Sequence, residues 1–296
     1  MRKLEIFTKT VTSRNMILNF RKILYVSAFF APIYADAADE TIGQTQQTVI
    51  QPAAEAPTNA GSASPRPDGG QWSLGIGTVV QDSPFQGEKV NAMPIPVIGY
   101  QSKTFFIQGL RAGYHLKNIE DRHKEGTFLD GYITPRMRPG ESRRKLSVDA
   151  GLSGGYQFGL NSIALNAQQD ISGNSDGTEL TLSYGLSIPF IKNNIFLPRV
   201  SVIWQSQKLA NFLWGIDQET FKKTLVNADE FTLNPYNIDQ SVINISAGLT
   251  HIYRFNEKWS TLSIAQVTAL SDTITDNPAV TGNYDLSFIF SLSYTF

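Results

Sequence analysis

The chain has 296 residues, 17% of them charged and 41% apolar, no cysteine and a formal net charge of −1. The charged fraction lies below the roughly 25% of soluble domains, and the lack of cysteine excludes disulfides, thiolate metal sites and a thiol nucleophile. The first 37 residues hold six basic and two acidic side chains, so the remainder carries 19 basic and 24 acidic ones, net −5, with no basic cluster for nucleic acid. A mean hydropathy of −0.17 excludes a bundle of membrane helices. It does not exclude a membrane β-barrel, where a polar residue follows each oily one.

Residues 1–37 read as a secretory signal peptide. Arg21 and Lys22 close a basic region, Ile23 to Tyr34 is an apolar run of 12 residues, and Ala35-Asp36-Ala37 supplies small side chains, placing cleavage between Ala37 and Ala38. The apolar run is shorter than the about 20 residues a spanning helix needs. Met1 and Met16 are both open as the start. Residues 38–70 are rich in Ala, Gln, Thr, Pro, Ser and Gly and have almost no periodicity. Such a segment buries too little apolar surface to offset its ordering, so a disordered periplasmic linker is expected, either a partner tether or a spacer.

From Trp72 onward the pattern is strand and turn. Leu74 and Ile76 alternate with Ser73, Gly75 and Gly77. Leu146, Val148, Ala150 and Leu152 alternate with Ser147, Asp149, Gly151 and Ser153. Leu180, Leu182, Tyr184 and Leu186 oppose Thr181, Ser183, Gly185 and Ser187. Phe196 to Gln205 alternates less cleanly, Ile243 to Thr250 does so well, and Trp259 to Ala269 is ambiguous in phase. The final stretch is the clearest: Leu286, Phe288, Phe290, Leu292, Tyr294 and Phe296 share one parity, and Asp285, Ser287, Ile289, Ser291, Ser293 and Thr295 the other. Successive strand side chains face opposite ways, so these are strands with one oily and one polar face. An apolar band about 25 Å tall crossed at about 40° needs about 10 residues per strand, and most segments have them. Aromatic residues near strand ends suit girdles at the two membrane interfaces. The expected fold is therefore an all-β, antiparallel, up-and-down transmembrane barrel over residues 71–296, in the outer membrane of a Gram-negative bacterium.

The strand count follows from the connections. Short turns are normally periplasmic and long loops extracellular. Short ones fall near Gln101–Lys103, Gly159–Asn161, Lys192–Asn194 and Asn256–Lys258. Long ones fall near Gln81–Lys89, Arg136–Lys145, Ile171–Thr178, Leu209–Gln240 and Ser271–Gly282. Both chain ends on the periplasmic side require an even number. Splitting Thr104 to Lys117 at Gly109-Leu110 gives 12 strands, with 10 as the alternative. Pro94 and Pro96 remove ladder donors from the second strand, which should be irregular at its outer end. The polar parity leaves two interiors open, a hydrogen-bonded plug of side chains or a narrow pore. In the longest loop Asp217 is placed to cap a helical turn over Gln218 to Val226, with Phe212, Leu213 and Trp214 adding apolar bulk. The loop forms either a lid in the barrel mouth or a flap on its rim.

No constellation carries chemistry. His115 and His251 fall on strands without a placed acid, and His123 sits in a charged turn, so neither a nucleophilic triad nor a metal cluster assembles. Asp149 and Asp170 are expected to meet Arg199 or lumen hydroxyls rather than to form an acid/base pair. No catalytic, cofactor-binding or metal residue is assigned.

Taken in order, Asp82-Ser83-Pro84-Phe85-Gln86-Gly87, then Met93 to Tyr100, Phe105-Phe106, Gly109 to Leu116, Asn211-Phe212-Leu213-Trp214-Gly215-Ile216, Ile274 to Pro278 and the terminal Tyr294-Thr295-Phe296 resemble the MipA/OmpV family of outer-membrane proteins. The resemblance covers about residues 72–296. It implies a scaffold in peptidoglycan remodelling, with a lytic transglycosylase and a murein synthase as partners. Tyr294 and Phe296 would form the C-terminal signal for the barrel assembly machinery, and outer-membrane lipid would surround the barrel. A narrow permeability channel and a surface adhesin acting through the long loops are the alternatives. The linker at 38–70 departs from compact members of the family.

Overall fold

The computed structural model describes residues 70–86, 90–118, 125–137, 145–190, 193–226 and 233–296. The leader, its cleavage point at Ala37 and Ala38, and the linker lie outside the described residues, as does His123. The strands are β1 (Gln71–Asp82), β2 (Asn91–Gln101), β3 (Phe105–Gln108), β4 (Arg111–Lys117), β5 (Gly126–Met137), β6 (Leu146–Phe158), β7 (Asn161–Asp170), β8 (Thr178–Leu186), β9 (Ile188–Pro189), β10 (Asn194–Gln205), β11 (Val242–Arg254), β12 (Trp259–Ala269) and β13 (Tyr284–Thr295). Among the described residues three helices, α1 (Gln207–Trp214), α2 (Gln218–Val226) and α3 (Asp272–Thr275), lie in the connections.

Each strand pairs antiparallel with the next in sequence. β8 and its short continuation β9 pair successively with β10, so they form one stave. β10 pairs with β11, and β1 pairs with β13 from Ser73↔Thr295 to Asp82↔Leu286. The sheet is thus a closed barrel of 12 staves. The terminal residue completes the seam, because the Phe296 N–H donates to the Trp72 carbonyl at 3.0 Å. The division of the third segment holds: Gly109, at φ 61°, turns β3 back into β4. A positive φ there is open to glycine without a Cβ clash. Other short turns are closed by side chains. The Ser102 hydroxyl accepts from Phe105 N–H at 2.9 Å, and Asn256 Oδ1 accepts from the Lys258 and Trp259 N–H groups, both at 2.9 Å.

The parity appears as two surfaces. Ile76, Ile133, Leu152, Leu165, Leu182, Val200, Ile245 and Phe290 are exposed on the outside. Ser147, Ser153, Thr181, Ser201, Ser246, Thr250, Ser291 and Thr295 are buried inside. Outer ring pairs gather at the short-turn end: Trp72 with Tyr100 (4.8 Å), Tyr253 with Phe255 (4.8 Å), Trp259 with Tyr294 (5.1 Å) and Tyr294 with Phe296 (5.1 Å). Of the aromatic strand ends, Trp204 lies at the opposite end of β10.

Two details depart from the sequence pattern. β12 turns Leu262 and Ile264 inward, where they join Val79, Leu197, Ile252 and Ile289 in a buried apolar cluster. That is why its phase is ambiguous: its oily residues sit on the lumen face. The second strand is regular against β1 along its whole length, Gln81↔Asn91 to Gln71↔Gln101. The prolines affect its other edge, where pairing to β3 stops at Gly99↔Gln108.

Inward aromatics lie flat on the wall where glycine makes room. The Tyr132 ring covers Gly151, whose Cβ, if present, would fall 2.3 Å from a ring carbon. Tyr132 cannot swing away freely, because its hydroxyl donates to Asn166 Oδ1 at 2.6 Å. Gly151→Ala is expected to lower the unfolding free energy by about 1–3 kcal/mol through overpacking, read from urea unfolding of the barrel in lipid vesicles. An unchanged midpoint would show that the ring relaxes at no cost.

Candidate functional site

The inward face of neighbouring staves carries a continuous polar network. Arg136, on β5, is its hub. It was expected in a loop, but β5 runs on to Met137 and so turns Arg136 into the lumen. Its Nε donates to Asp149 Oδ2 at 2.6 Å and its Nη1 to Glu179 Oε2 at 3.0 Å, with all three side chains nearly inaccessible. Glu179 also accepts from Gln168 Nε2 and from Gln205 Nε2, each at 2.8 Å. Gln205 Oε1 in turn accepts from Trp214 Nε1 at 3.2 Å and from Asn244 Nδ2 at 3.4 Å. Asn244 Oδ1 accepts from the Ser271 N–H at 2.9 Å. The network therefore ties β5, β6, β7, β8, β10 and β11 together and reaches α1. A planar guanidinium suits this place because it addresses two carboxylates at fixed angles.

Asp149 thus meets Arg136 rather than Arg199. Asp170 meets neither Arg199 nor a lumen hydroxyl but the loop after β7, accepting from Ser172 Oγ at 2.6 Å, Ser175 N–H at 2.6 Å and Asp176 N–H at 2.8 Å. His115 does have an acid, Asp130 on β5, with Nδ1 to Oδ1 at 2.6 Å. Register places the two opposite each other on β4 and β5, a contact that sequence spacing does not show. Gln101 Nε2 lies 2.8 Å from His115 Nε2. An amide nitrogen only donates, so Nε2 accepts and Nδ1 carries the proton given to Asp130. Both ring nitrogens are engaged, which makes His115 a structural bridge between β2, β4 and β5. His251 lies on the outer face, stacked on Phe196 at 4.5 Å and bonded to Asn194 Oδ1 at 2.9 Å, the interfacial position its parity predicts. Tyr294 sits between the Trp259 and Phe296 rings at the seam. Among the described residues no group of three or more His, Asp or Glu is placed to hold a metal.

Above the network the long loops fold into an apolar cap. The Ser206 hydroxyl caps α1, accepting from Leu209 N–H at 3.5 Å, and it also accepts from Thr178 N–H at 2.9 Å. α1 buries Leu209, Ala210, Phe212, Leu213 and Trp214 against Phe85, Leu233, Ile238, Leu270, Ile274 and Val280. The Phe85 and Trp214 rings stack at 6.2 Å. Asn277 Nδ2 donates to the Trp214 carbonyl at 2.9 Å, and Gln86 N–H to the Ala279 carbonyl at 2.7 Å. α2 has the expected cap, with Thr220 N–H donating to Asp217 Oδ1 at 2.7 Å. The long loop is therefore a lid, joined by the loops around Phe85 and Ile274. Inside the barrel, a cavity of about 20 Å³ lined by Arg199, Ser201, Thr250 and Gln266 has room for about one water. Of the two expected interiors, the side chains bonded across β5 to β11 match the first, a hydrogen-bonded plug, over that arc.

The family model for "MltA-interacting protein MipA" matches residues 74–296. The chain belongs to the MltA-interacting protein MipA family. Among curated relatives, the MltA-interacting protein of Escherichia coli K12 is 24% identical over 77% of this chain and 91% of its own. The putative outer membrane protein YiaT of the same organism is 21% identical over 76% of this chain and 91% of its own. Among solved structures, in-vitro folded OmpT, an outer membrane protein of Vibrio cholerae, overlaps 78% of this chain and 99% of that one at 7% identity and a TM-score of 0.35. The MipA family match and the closed barrel make this chain an outer-membrane protein.

Arg136→Ala leaves Asp149 and Glu179 buried without their cation. Removing one partner of a buried ion pair typically costs about 3–5 kcal/mol, so the urea midpoint should fall markedly. Arg136→Lys should recover only part of the loss, since one ammonium does not span both carboxylates as a fork does. Equal stability of the lysine variant and the parent would refute the bridging role.

Proposed function

We propose that this barrel is an outer-membrane anchor that holds a lytic transglycosylase, and with it a murein synthase, against the peptidoglycan. The observation that carries this reading is the bridged and capped lumen of a MipA-family barrel. A body with Arg136, Glu179 and Gln205 bonded across its interior is suited to present a surface rather than to pass solutes. The relatives at 24% identity carry a name that states an interaction with MltA. In this orientation the short turns and the Phe296 end face the periplasm, and the cap faces outward. The short-turn face offers Leu160 and Phe255, both exposed, beside Lys258. Tyr294 and Phe296 would present the terminal signal to the assembly machinery at the same end.

A photocrosslinking amino acid at Leu160 or Lys258 in cells should yield, on irradiation, an adduct containing a lytic transglycosylase. The same group at Thr273, in the capped end, should not. A folded barrel that yields no such adduct from either short turn would sink the anchor reading. Planar-bilayer recording checks the competing channel reading: the intact protein should show no discrete conductance steps.

A further inference from the structure

The wall of the barrel is not equally high all round. β2 pairs with β1 from Asn91 to Gln101, but its ladder to β3 covers only Gly99 to Gln101. The last bond on that edge runs from the Gly109 N–H to the Ile98 carbonyl at 2.8 Å. Across the short hairpin, β5 pairs with β6 as far as Met137, but with β4 only as far as Ile133. Among the described residues, no strand lies beside Asn91 to Val97 or beside Thr134 to Met137 on the facing edges. Above the Gly109-Leu110 turn, the wall between β2 and β5 therefore has a notch that opens toward the long-loop rim. Two absent strands at about 4.8 Å spacing leave a gap on the order of 10 Å.

The backbone direction at this notch is fixed by the bonds on the page. Alternate residues of an antiparallel strand address alternate neighbours. Ile98 addresses β3, so Ala92, Pro94 and Pro96 address the notch. The His115 N–H donates to the Thr104 carbonyl, so Ala112 and Tyr114 address Ile133 and Gly131 of β5. By the same alternation Pro135 addresses the notch from the other side. Three prolines thus occupy positions where an N–H would otherwise point into the gap. The Pro135 carbonyl is also served locally, by the Thr134 hydroxyl at 3.4 Å.

The surfaces round the notch are apolar on both faces. Pro94, Pro96, Ile98, Leu110 and Ile133 are exposed outside. Inside, β2 presents Met93, Ile95 and Val97 on the parity that elsewhere carries serine, threonine and amides. Ile95 packs on the inner cluster of Val79, Leu197, Ile252, Leu262, Ile264 and Ile289. We propose that the notch is a lateral portal through which one acyl chain of a surrounding lipid enters the barrel and lies along Met93 and Ile95. A strand from another protein fits less well, because strand addition draws on edge N–H donors and Pro94, Pro96 and Pro135 have none. Proline removes the N–H only, so the carbonyls of Ala92, Pro94 and Pro96 still address the gap.

The test uses the intact protein in vesicles that contain a phosphatidylcholine with a diazirine midway along one acyl chain. Labelled lipid in both leaflets makes the result independent of which end faces the periplasm, and so separate from the anchor reading. Irradiation and peptide mass spectrometry should place adducts on Met93 or Ile95 at yields within about twofold of those on outward Ile98. They should place none on Gln266, an inward and half-buried residue of the unbroken wall. Adducts confined to outward side chains would overturn the portal, and so would equal labelling of Gln266. Because the chain has no cysteine, Ile95→Cys and Gln266→Cys can carry a fluorophore, and nitroxide-bearing lipid should quench the first at least twofold more than the second. Equal quenching at the two sites would also overturn it.

Discussion

A bilayer supplies no hydrogen-bond partner, so each backbone N–H and C=O that crosses it must find one within the protein. This constraint orders the rest of the structure. It explains why the last strand returns to the first, with the Phe296 N–H on the Trp72 carbonyl and β13 sealed to β1. It also explains the prolines. The Asn194 carbonyl accepts from Phe190, so Pro198 faces Leu186 of β8 in the same register and forgoes one ladder bond there. The Ser187 N–H addresses Leu160, so Pro189 points past the start of β7. With Pro94, Pro96 and Pro135 at the notch, four of the five strand prolines among the described residues stand where a donor would have had no strand partner, and Pro198 is the exception.

Sealing the outside leaves the inside to be filled, and two materials fill it. One arc, from β1 and β10 to β13, packs Val79, Leu197, Ile252, Leu262, Ile264 and Ile289 together. The other, from β5 round to β11, is bridged by Arg136, Glu179 and Gln205. The two depend on each other. Apolar packing keeps water out, and in its absence the attraction of Arg136 for Asp149 and Glu179 is screened far less than it would be at a wet surface. The apolar cap completes the exclusion, and it is joined to the network through the indole of Trp214 rather than resting on it by packing alone.

The parts legible in the sequence were those governed by local rules. Alternation marked the lipid face, because lipid tolerates only oily side chains at every second position. Gly109 marked the hairpin, and an even strand count followed from the turns. Asp217 announced its helix. What was hidden depended on register. Asp130 is fifteen positions from His115, and only the pairing of β4 with β5 brings them together. Arg136 looked like the start of a loop until the length of β5 placed it on the lumen face. Helix α1 was missed because its cap is one serine, Ser206, with no acidic partner in the first turn. Its helical state also depends on burial by three loops far apart in sequence. β12 misled for a related reason: it faces the one part of the lumen that is itself oily.

The cap and the notch together define how material can reach the interior. The axial route at the long-loop end meets Phe85, Phe212 and Trp214 packed as a small core. The lateral route meets an edge from which three prolines remove donors, lined with Met93, Ile95 and Pro135. A barrel serving only as an anchor gains nothing from such an edge. A β3–β4 hairpin several residues longer would complete the wall and add ladder bonds, each worth about 0.5–1.5 kcal/mol net. The short hairpin and the three prolines are consistent with each other and not with a wall merely left unfinished, since an unfinished edge with ordinary residues would leave N–H groups facing the membrane. The edge has the chemistry of a surface built to lie against hydrocarbon on its inner side as well as its outer one.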